Sequence, residues 1–233
     1  MPLVTVPIAG IAAATPRSSL LTLDLRSHVL DFVAGQAVMV GAHGQGVRRP
    51  YSIACSPERA AETGRLELLI ALEPGGDLGA NLAAAAPETL VDLEGPVGVF
   101  TFPATMDHDW LLFVAGGAGI APLRAMLDHA MRLQPPPRIS LLYSARRADE
   151  FAFIDELRRH AAEHRIELHQ TVTRDQGSPW AGRRGRIGRT HFEAALHEPA
   201  STLCFVCGPI PLVNESMTTL KALGVPEGQI RTE

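Results

Sequence analysis

Two short stretches of this chain carry residue types that can hold a flat ring and an anion. Arg49-Pro50-Tyr51-Ser52 alternates a guanidinium, an aromatic ring and a hydroxyl. A guanidinium grips phosphate through paired donors. Tyrosine can stack on a planar ring while its hydroxyl stays hydrogen-bonded. In a strand, period two places Arg49 and Tyr51 on one face. The second stretch is Gly116-Gly117-Ala118-Gly119-Ile120-Ala121-Pro122. Glycines let a backbone approach a phosphate, and a helix opening there points its free N–H groups at the anion. Pro122 stands where a G-x-G-x-x-G run has its third glycine. On spacing alone each stretch also reads as plain structure: an edge strand with a surface arginine, and an ordinary strand–helix turn.

The elements around these stretches fall into two patterns. Up to about residue 100, β-branched runs recur between Gly and Pro: Leu20 to Leu25, Ala37 to Val40, Tyr51 to Ala54, Leu66 to Leu72 and Leu90 to Leu93. A short helix over Leu78 to Ala86 is expected, stopped by Pro87. This spacing predicts a small antiparallel barrel of the six-stranded type. After a linker at Pro103 to Asp109, apolar strands alternate with amphipathic helices. Strands are expected at Trp110 to Val114, Ile139 to Tyr143, Ile166 to Thr173, Leu203 to Val206 and around Ile230. Helices are expected at Pro122 to Leu133, Phe151 to His164, and up to Leu223 with Gly224 beyond its end. That rhythm predicts a doubly wound parallel sheet. The domains are therefore 1–102 and 103–233.

In a parallel α/β sheet, ligands bind beyond the carboxyl ends of the strands. Those ends are Gly116 to Gly119, Ser144-Ala145-Arg146-Arg147, Thr173-Arg174-Asp175 and Cys207-Gly208-Pro209. Each is small, polar or basic. An NAD-selective fold often has an acid after its second strand; here Ser144, Arg146 and Arg147 stand there, with Arg174 at the next strand end. Basic groups suit a 2′-phosphate, so NADPH is favoured over NADH. Asp149 and Glu150 lie in the same turn and offer the arginines an ordinary pairing instead.

The 233 residues are 46% apolar and 20% charged, with a formal net charge of −4, enough for two cores. No basic excess recommends nucleic acid. Three Cys make no disulfide framework and too few thiolates for an iron–sulfur cluster, which fits a reducing compartment. No apolar run reaches the roughly 18–20 residues of a membrane span, and the N-terminus lacks a basic leader region. The expectation is a soluble, cytoplasmic protein that contacts neither nucleic acid nor membrane.

Five motifs, in order along essentially the whole chain, resemble the ferredoxin–NADP reductase superfamily. Arg49-Pro50-Tyr51-Ser52 matches its R-x-Y-S flavin motif. Gly75-Gly76-Asp77-Leu78-Gly79-Ala80-Asn81-Leu82 matches its second flavin loop, and Gly95-Pro96-Val97-Gly98-Val99-Phe100 its G-P-x-G-x-F corner. Gly116 to Pro122 matches its G-G-x-G-I-x-P loop, and Cys207-Gly208-Pro209 its C-G-P turn. The resemblance implies FAD in the barrel half and NADPH or NADH in the α/β half. Tyr51 would stack on the flavin ring with Ser52 near its reactive N5, and Arg49 would hold the pyrophosphate. The resemblance also reads Ser56, one place beyond the last serine of an R-x-Y-S-x-x-S form, as a flavin contact that points to FAD rather than FMN. Pro50, Ile70, Leu72, Gly76, Leu78 and Gly79 join the flavin contacts. Gly117, Gly119, Ile120, Ala121, Pro122, Ser144, Cys207, Gly208 and Pro209 join the nucleotide contacts. Arg146, Arg174 and Arg186 match positions that meet the 2′-phosphate in flavodoxin reductases. Ser52, Cys207 and Glu233 would frame the hydride transfer. The family usually has Ser or Thr at the position of Gly79, which leaves only a backbone contact there. It also usually places an aromatic two residues beyond the acid matched by Glu233. None follows here, so either the natural chain continues or the flavin face is open to the nicotinamide.

Other signals carry less. Cys204 and Cys207 are three apart in a strand and so face opposite sides. His160 and His164 have metal-like spacing without a third ligand, so no metal is expected. Trp180 with the basic run Gly182 to Arg186 reads as a loop near the nucleotide. The resemblance implies a flavin-dependent reductase passing electrons to a ferredoxin, a flavodoxin or an oxygenase component. The alternatives are a flavin-binding electron-transfer or regulatory subunit without turnover of its own, and a colourless nucleotide-binding module.

Overall fold

The computed structural model describes residues 3–26, 28–72, 81–174 and 179–233. Contacts divide the chain into two units, one of Met1–Phe102 with Arg124–His129, the other of Pro103–Leu123 with Ala130–Glu233.

The first unit is an antiparallel barrel. Its strands are β1 (Leu3–Thr15), β2 (Ser18–Asp24), β3 (Ala37–Ala42), β4 (Arg49–Ser52), β5 (Arg65–Ala71) and β6 (Leu90–Val97), in the order β4-β3-β6-β1-β2-β5. The ends of the sheet meet at a bridge between Ile53 and Leu68, where the Ala54 N–H donates to the Glu67 carbonyl at 2.8 Å. Alternation decides which side chains go in. Val6, Ile8, Leu21, Leu23, Val38, Val40, Leu66, Leu68, Ile70, Val91 and Leu93 are fully buried. Each such side chain contributes about 1.5–3 kcal/mol relative to exposure.

Strand β1 was not evident from the sequence. Its first half pairs with β6 and its second with β2, and the register shifts between Ile8 and Gly10. Pro7 and Gly10 interrupt its alternation, and such a switch of partners is where proline and a bulge are tolerated. Helix α1 (Pro57–Thr63) was also missed. Ser56 caps its start by accepting from the Arg59 N–H, and Gly64, at φ +66°, closes it. Of the expected helix at 78–86, residues 81–83 are helical and residues 78–80 lie outside the described residues.

The second unit is a parallel sheet with helices. Its strands are β7 (Trp110–Gly116), β8 (Arg138–Ala145), β9 (Glu167–Val172), β10 (Arg183–Arg184), β11 (Thr202–Cys207) and β12 (Ile230–Thr232). All pairings are parallel, in the order β10-β9-β8-β7-β11-β12. Strands β7 and β11 are buried throughout, which is why they read as continuous apolar runs. The helices are α2 (Ile120–Ala130), α3 (Ile154–Ala162), α4 (Arg189–Ala195) and α5 (Ile210–Ala222). Helix α3 begins later than its apolar pattern suggests, because Phe153 is left-handed at φ +60°. Gly224, at φ +94°, follows α5 as expected. The chain runs from β7 to β8 on one side and returns to β11 on the other, so the topology switches between β7 and β11. Among the described residues no helix is long and apolar enough to cross a membrane.

Candidate functional site

In the barrel unit, β4 pairs with β3 so that Tyr51 lies opposite Val38 and Arg49 opposite Val40. The Tyr51 ring packs on the barrel core yet stays half-buried, while Arg49 is exposed. Burial raises the Tyr51 phenol and the Arg49 charge draws it back, so the two groups sense each other. The neighbouring Arg48 differs. Its guanidinium faces Asp92 and Glu94, each at 3.9 Å, whereas Arg49 has no carboxylate partner among the described residues. A cation without a counter-ion beside a half-exposed ring fits a nucleotide carrying phosphate and a flat heterocycle.

Asp92 anchors the loop ahead of this strand. It is buried, accepts from Thr5 Oγ1 at 2.8 Å and the Gly44 N–H at 3.1 Å, and meets His43 Nδ1 at 2.8 Å. His43 and Thr5 hold its carboxyl down at about 2.

Two residues expected at the flavin are enclosed by protein. The Ser56 hydroxyl is 0% exposed and donates to Asp128 Oδ2 at 2.7 Å while capping α1, so it faces the interior. Ile70 is likewise 0% exposed, in the barrel core. Leu72 is half-buried, with its N–H donating to the Arg17 carbonyl. Gly76, Leu78 and Gly79 lie outside the described residues.

Sequence reasoning missed Arg124 and Asp128. Arg124 is 3% exposed; its Nη1 donates to the Ala54 carbonyl at 2.7 Å and to Glu67 Oε2 at 2.5 Å. Asp128 also accepts from Arg59 Nε at 3.2 Å. The available signal was a pair of opposite charges four residues apart in the otherwise apolar Ile120-Ala121-Pro122-Leu123-Arg124-Ala125-Met126-Leu127-Asp128.

In the α/β unit the expected residues share one rim, at the carboxyl ends of the strands. The glycines there divide by task. A Cβ on Gly119 would lie 2.3 Å from the Cys207 carbonyl oxygen and 2.8 Å from the Gly208 nitrogen. One on Gly116 would lie 2.8 Å from Pro209 Cδ, and Gly208 itself is at φ +156°. These glycines let the turn after β7 pack backbone to backbone on the turn after β11. Protein backbone occupies the place a Gly119 side chain would need. Gly117, at φ +56°, has nothing within 4 Å of a built Cβ and faces open space. Ile120, Ala121 and Pro122 are buried, so they offer a ligand backbone at most. No acid stands in the first turn of α2 to offset its dipole.

Ser144 is half-buried and Arg146 exposed at the end of β8. The Arg174 N–H donates to the Arg146 carbonyl at 2.8 Å, which seats the two residues at adjoining strand ends. Neither guanidinium has a carboxylate partner among the described residues. Arg147 does pair with Asp149, at 3.2 Å. Arg186, beyond β10 on the same rim, lies 3.9 Å from Glu215 with both side chains exposed.

Cys207 Sγ is 3.7 Å from Glu233 Oε2. Burial, reinforced by Glu233, pushes this thiol up to about 12, and burial raises the Glu233 carboxyl. The Glu233 N–H donates to the Val206 carbonyl at 3.0 Å, fixing the acid at the end of β11. Cys204 and Cys55 are also buried free thiols, and burial pushes the Cys204 thiol up to about 12. Among the described residues no group of three acids, histidines or cysteines could hold a metal.

Known families match both units. Residues 11–102 match the oxidoreductase FAD-binding domain and residues 113–217 the oxidoreductase NAD-binding domain. Ferredoxin–NADP reductase B of Sorangium cellulosum is 31% identical over 216 residues, covering 87% of this chain and 84% of that protein. The chain belongs to the ferredoxin reductase-like superfamily. It is an FAD-dependent NAD(P)H oxidoreductase. Methane monooxygenase component C of Methylosinus trichosporium is 36% identical over 132 residues, and this chain spans only 37% of its length. An Amycolatopsis cytochrome P450 reductase superposes with a TM-score of 0.87 at 25% identity, covering all of this chain and 70% of that one.

Proposed function

We propose that this reductase takes electrons from NADPH in preference to NADH and delivers them to a separate protein acceptor, a ferredoxin, a flavodoxin or an oxygenase component. Residues 1–102 hold FAD and residues 103–233 hold the nicotinamide nucleotide. The observation that carries this reading is the rim at the β7–β11 switch, where Gly117, Ser144, Arg146, Arg174 and Cys207 all end their strands or turns. Parallel sheets bind nucleotides at such a point.

When bound, FAD accepts a hydride from the nicotinamide and releases the electrons onward. The chain's own residues bind and orient. Arg49 grips the flavin pyrophosphate, and Tyr51 offers its half-exposed ring as a platform. The Ser52 hydroxyl donates to the flavin edge. Gly117 and the N–H groups that follow it receive the nicotinamide nucleotide's phosphates. Arg146, Arg174 and Arg186 face the 2′-phosphate, and the absence of an acid at the end of β8 among the described residues supports NADPH. Cys207 stays a neutral thiol, so it packs against the nicotinamide and does not attack it as a nucleophile would. Glu233, its carboxyl raised by burial, keeps a proton nearer neutrality than an exposed acid. Two of the relatives, a ferredoxin–NADP reductase and a methane monooxygenase component, support the class of acceptor.

The test is to purify the chain, record its visible spectrum and follow ferricyanide reduction with NADPH and with NADH. The expected result is a yellow protein with lower KM for NADPH. A yellow protein that oxidises neither would instead be a subunit without turnover; one lacking flavin bands would refute FAD.

A further inference from the structure

Tyr143 is fully buried in β8, one residue before Ser144. Its hydroxyl donates to the Gly117 carbonyl at 3.1 Å and accepts from the Ala152 N–H at 3.1 Å. Burial raises the phenol well above its ordinary value, so the hydroxyl keeps its single proton. With an amide N–H as one partner, that proton must go to the Gly117 carbonyl. The direction of both bonds is thus fixed. A side chain at Gly117 would meet no atom, so the turn is fixed by the packing of Gly116 and Gly119 on either side and by this bond at Gly117 itself.

The ring of Tyr143 begins a series. Phe151 meets it edge-on, with centroids 4.9 Å apart, and stacks on Trp180 at 5.5 Å. Trp180 Nε1 donates to the Arg183 carbonyl at 3.0 Å, and Arg184 Nη2 donates to the Trp180 carbonyl at 2.8 Å. A Cβ on Gly182 would come within 2.5 Å of the indole, so this segment wraps closely around it. The series ends in the stretch that carries Arg183, Arg184 and Arg186.

We infer that Tyr143 is a positioning residue for nucleotide binding: its hydroxyl sets the Gly117 turn, and its ring, through Phe151 and Trp180, seats the basic segment 180–186 on the same rim. This rests on the reading that the rim binds a nicotinamide nucleotide. Phosphates common to both nucleotides meet the turn, whereas the basic segment meets only the 2′-phosphate.

The experiment titrates FAD-loaded wild-type, Tyr143→Phe and Phe151→Leu proteins with NAD+ and NADP+, reading Kd from the flavin difference spectrum. Wild type that binds neither nucleotide overturns the underlying reading. Given wild-type binding, Tyr143→Phe is expected to raise both Kd values about three- to tenfold, the loss of roughly one hydrogen bond. Their ratio should hold within about twofold with flavin content as in wild type, while the melting temperature falls, because the Ala152 N–H and the Gly117 carbonyl lose their shared partner. Unchanged Kd values overturn the inference. Phe151→Leu keeps both Tyr143 hydrogen bonds and is expected to weaken NADP+ about threefold more than NAD+; an equal change overturns the role given to the ring series. If Tyr143→Phe does not fold, amide exchange at Ala152 in wild type decides. It should slow on saturation with NADP+, and an unchanged rate overturns the inference.

Discussion

Replacing Gly119 by alanine puts a methyl carbon 2.3 Å from the Cys207 carbonyl oxygen, 2.6 Å from its carbon and 2.8 Å from the Gly208 nitrogen. All three are backbone atoms, so no side chain can swing away. The turns after β7 and β11 must part, at an overpacking cost of about 1–3 kcal/mol. For a chain of this size that lowers the melting temperature by roughly 2–12 °C. Gly117→Ala is the matched control. It meets no atom within 4 Å and carries only the strain of φ +56°, about 1–2 kcal/mol, partly offset by a stiffer unfolded chain. Its methyl instead enters the space assigned to phosphate. Gly119→Ala should therefore lower the melting temperature clearly more than Gly117→Ala does, while Gly117→Ala should raise the KM for nicotinamide nucleotide at least tenfold. Differential scanning fluorimetry and steady-state kinetics read both. A Gly119→Ala protein that melts with wild type, or a Gly117→Ala protein with wild-type KM, would refute the division of labour between these glycines.

Other outcomes follow from the same structure. Asp92 has a depressed folded pKa of about 2, so its contribution is full above its unfolded value and fades as pH falls toward 2. Asp92→Asn should cost on the order of 1–2 kcal/mol at pH 7, discounted because His43 is half-exposed, and the difference should vanish near pH 2 in thermal melts. Arg124→Met strands Glu67 and the Ala54 carbonyl and should cost about 2–3 kcal/mol by urea denaturation; an unchanged midpoint would contradict the burial described. With thiols raised to about 11 at Cys55 and about 12 at Cys204 and Cys207, iodoacetamide at pH 8 should label none of them until urea unfolds the chain. Arg146→Ala with Arg174→Ala should raise the KM for NADPH about tenfold and that for NADH less than twofold; equal effects on both would remove these residues from the 2′-phosphate site.

Much of this was legible in the residues because local signals agreed with the fold. Strand β7 is apolar throughout, β8 and β11 nearly so apart from the buried Ser140 and Thr202, and their ends announce themselves in Gly116, Ser144 and Cys207. Arg49 and Tyr51 share a strand face as period two requires. What escaped notice is tertiary. Pro7 and Gly10 mark a strand changing partners, which single-strand alternation does not express. Ser56 is enclosed by α1 and Asp128, which its own neighbours in sequence do not show. The turn after β11 fills the place of a Gly119 side chain, which the local sequence does not show. Each depends on a neighbour distant in sequence.

The switch of β1 between two partners has a bearing on synthesis. Its second half can pair with β2 once residue 24 has left the ribosome, but its first half waits for β6, which begins at Leu90. At about 5–20 residues per second, that wait is roughly 4–15 s. During it, the backbone of Leu3 to Pro7 has no strand to complete it, and Val4 and Val6 have no barrel to enter. The nascent chain therefore presents a short sticky segment near its start for seconds, a natural landing place for a chaperone.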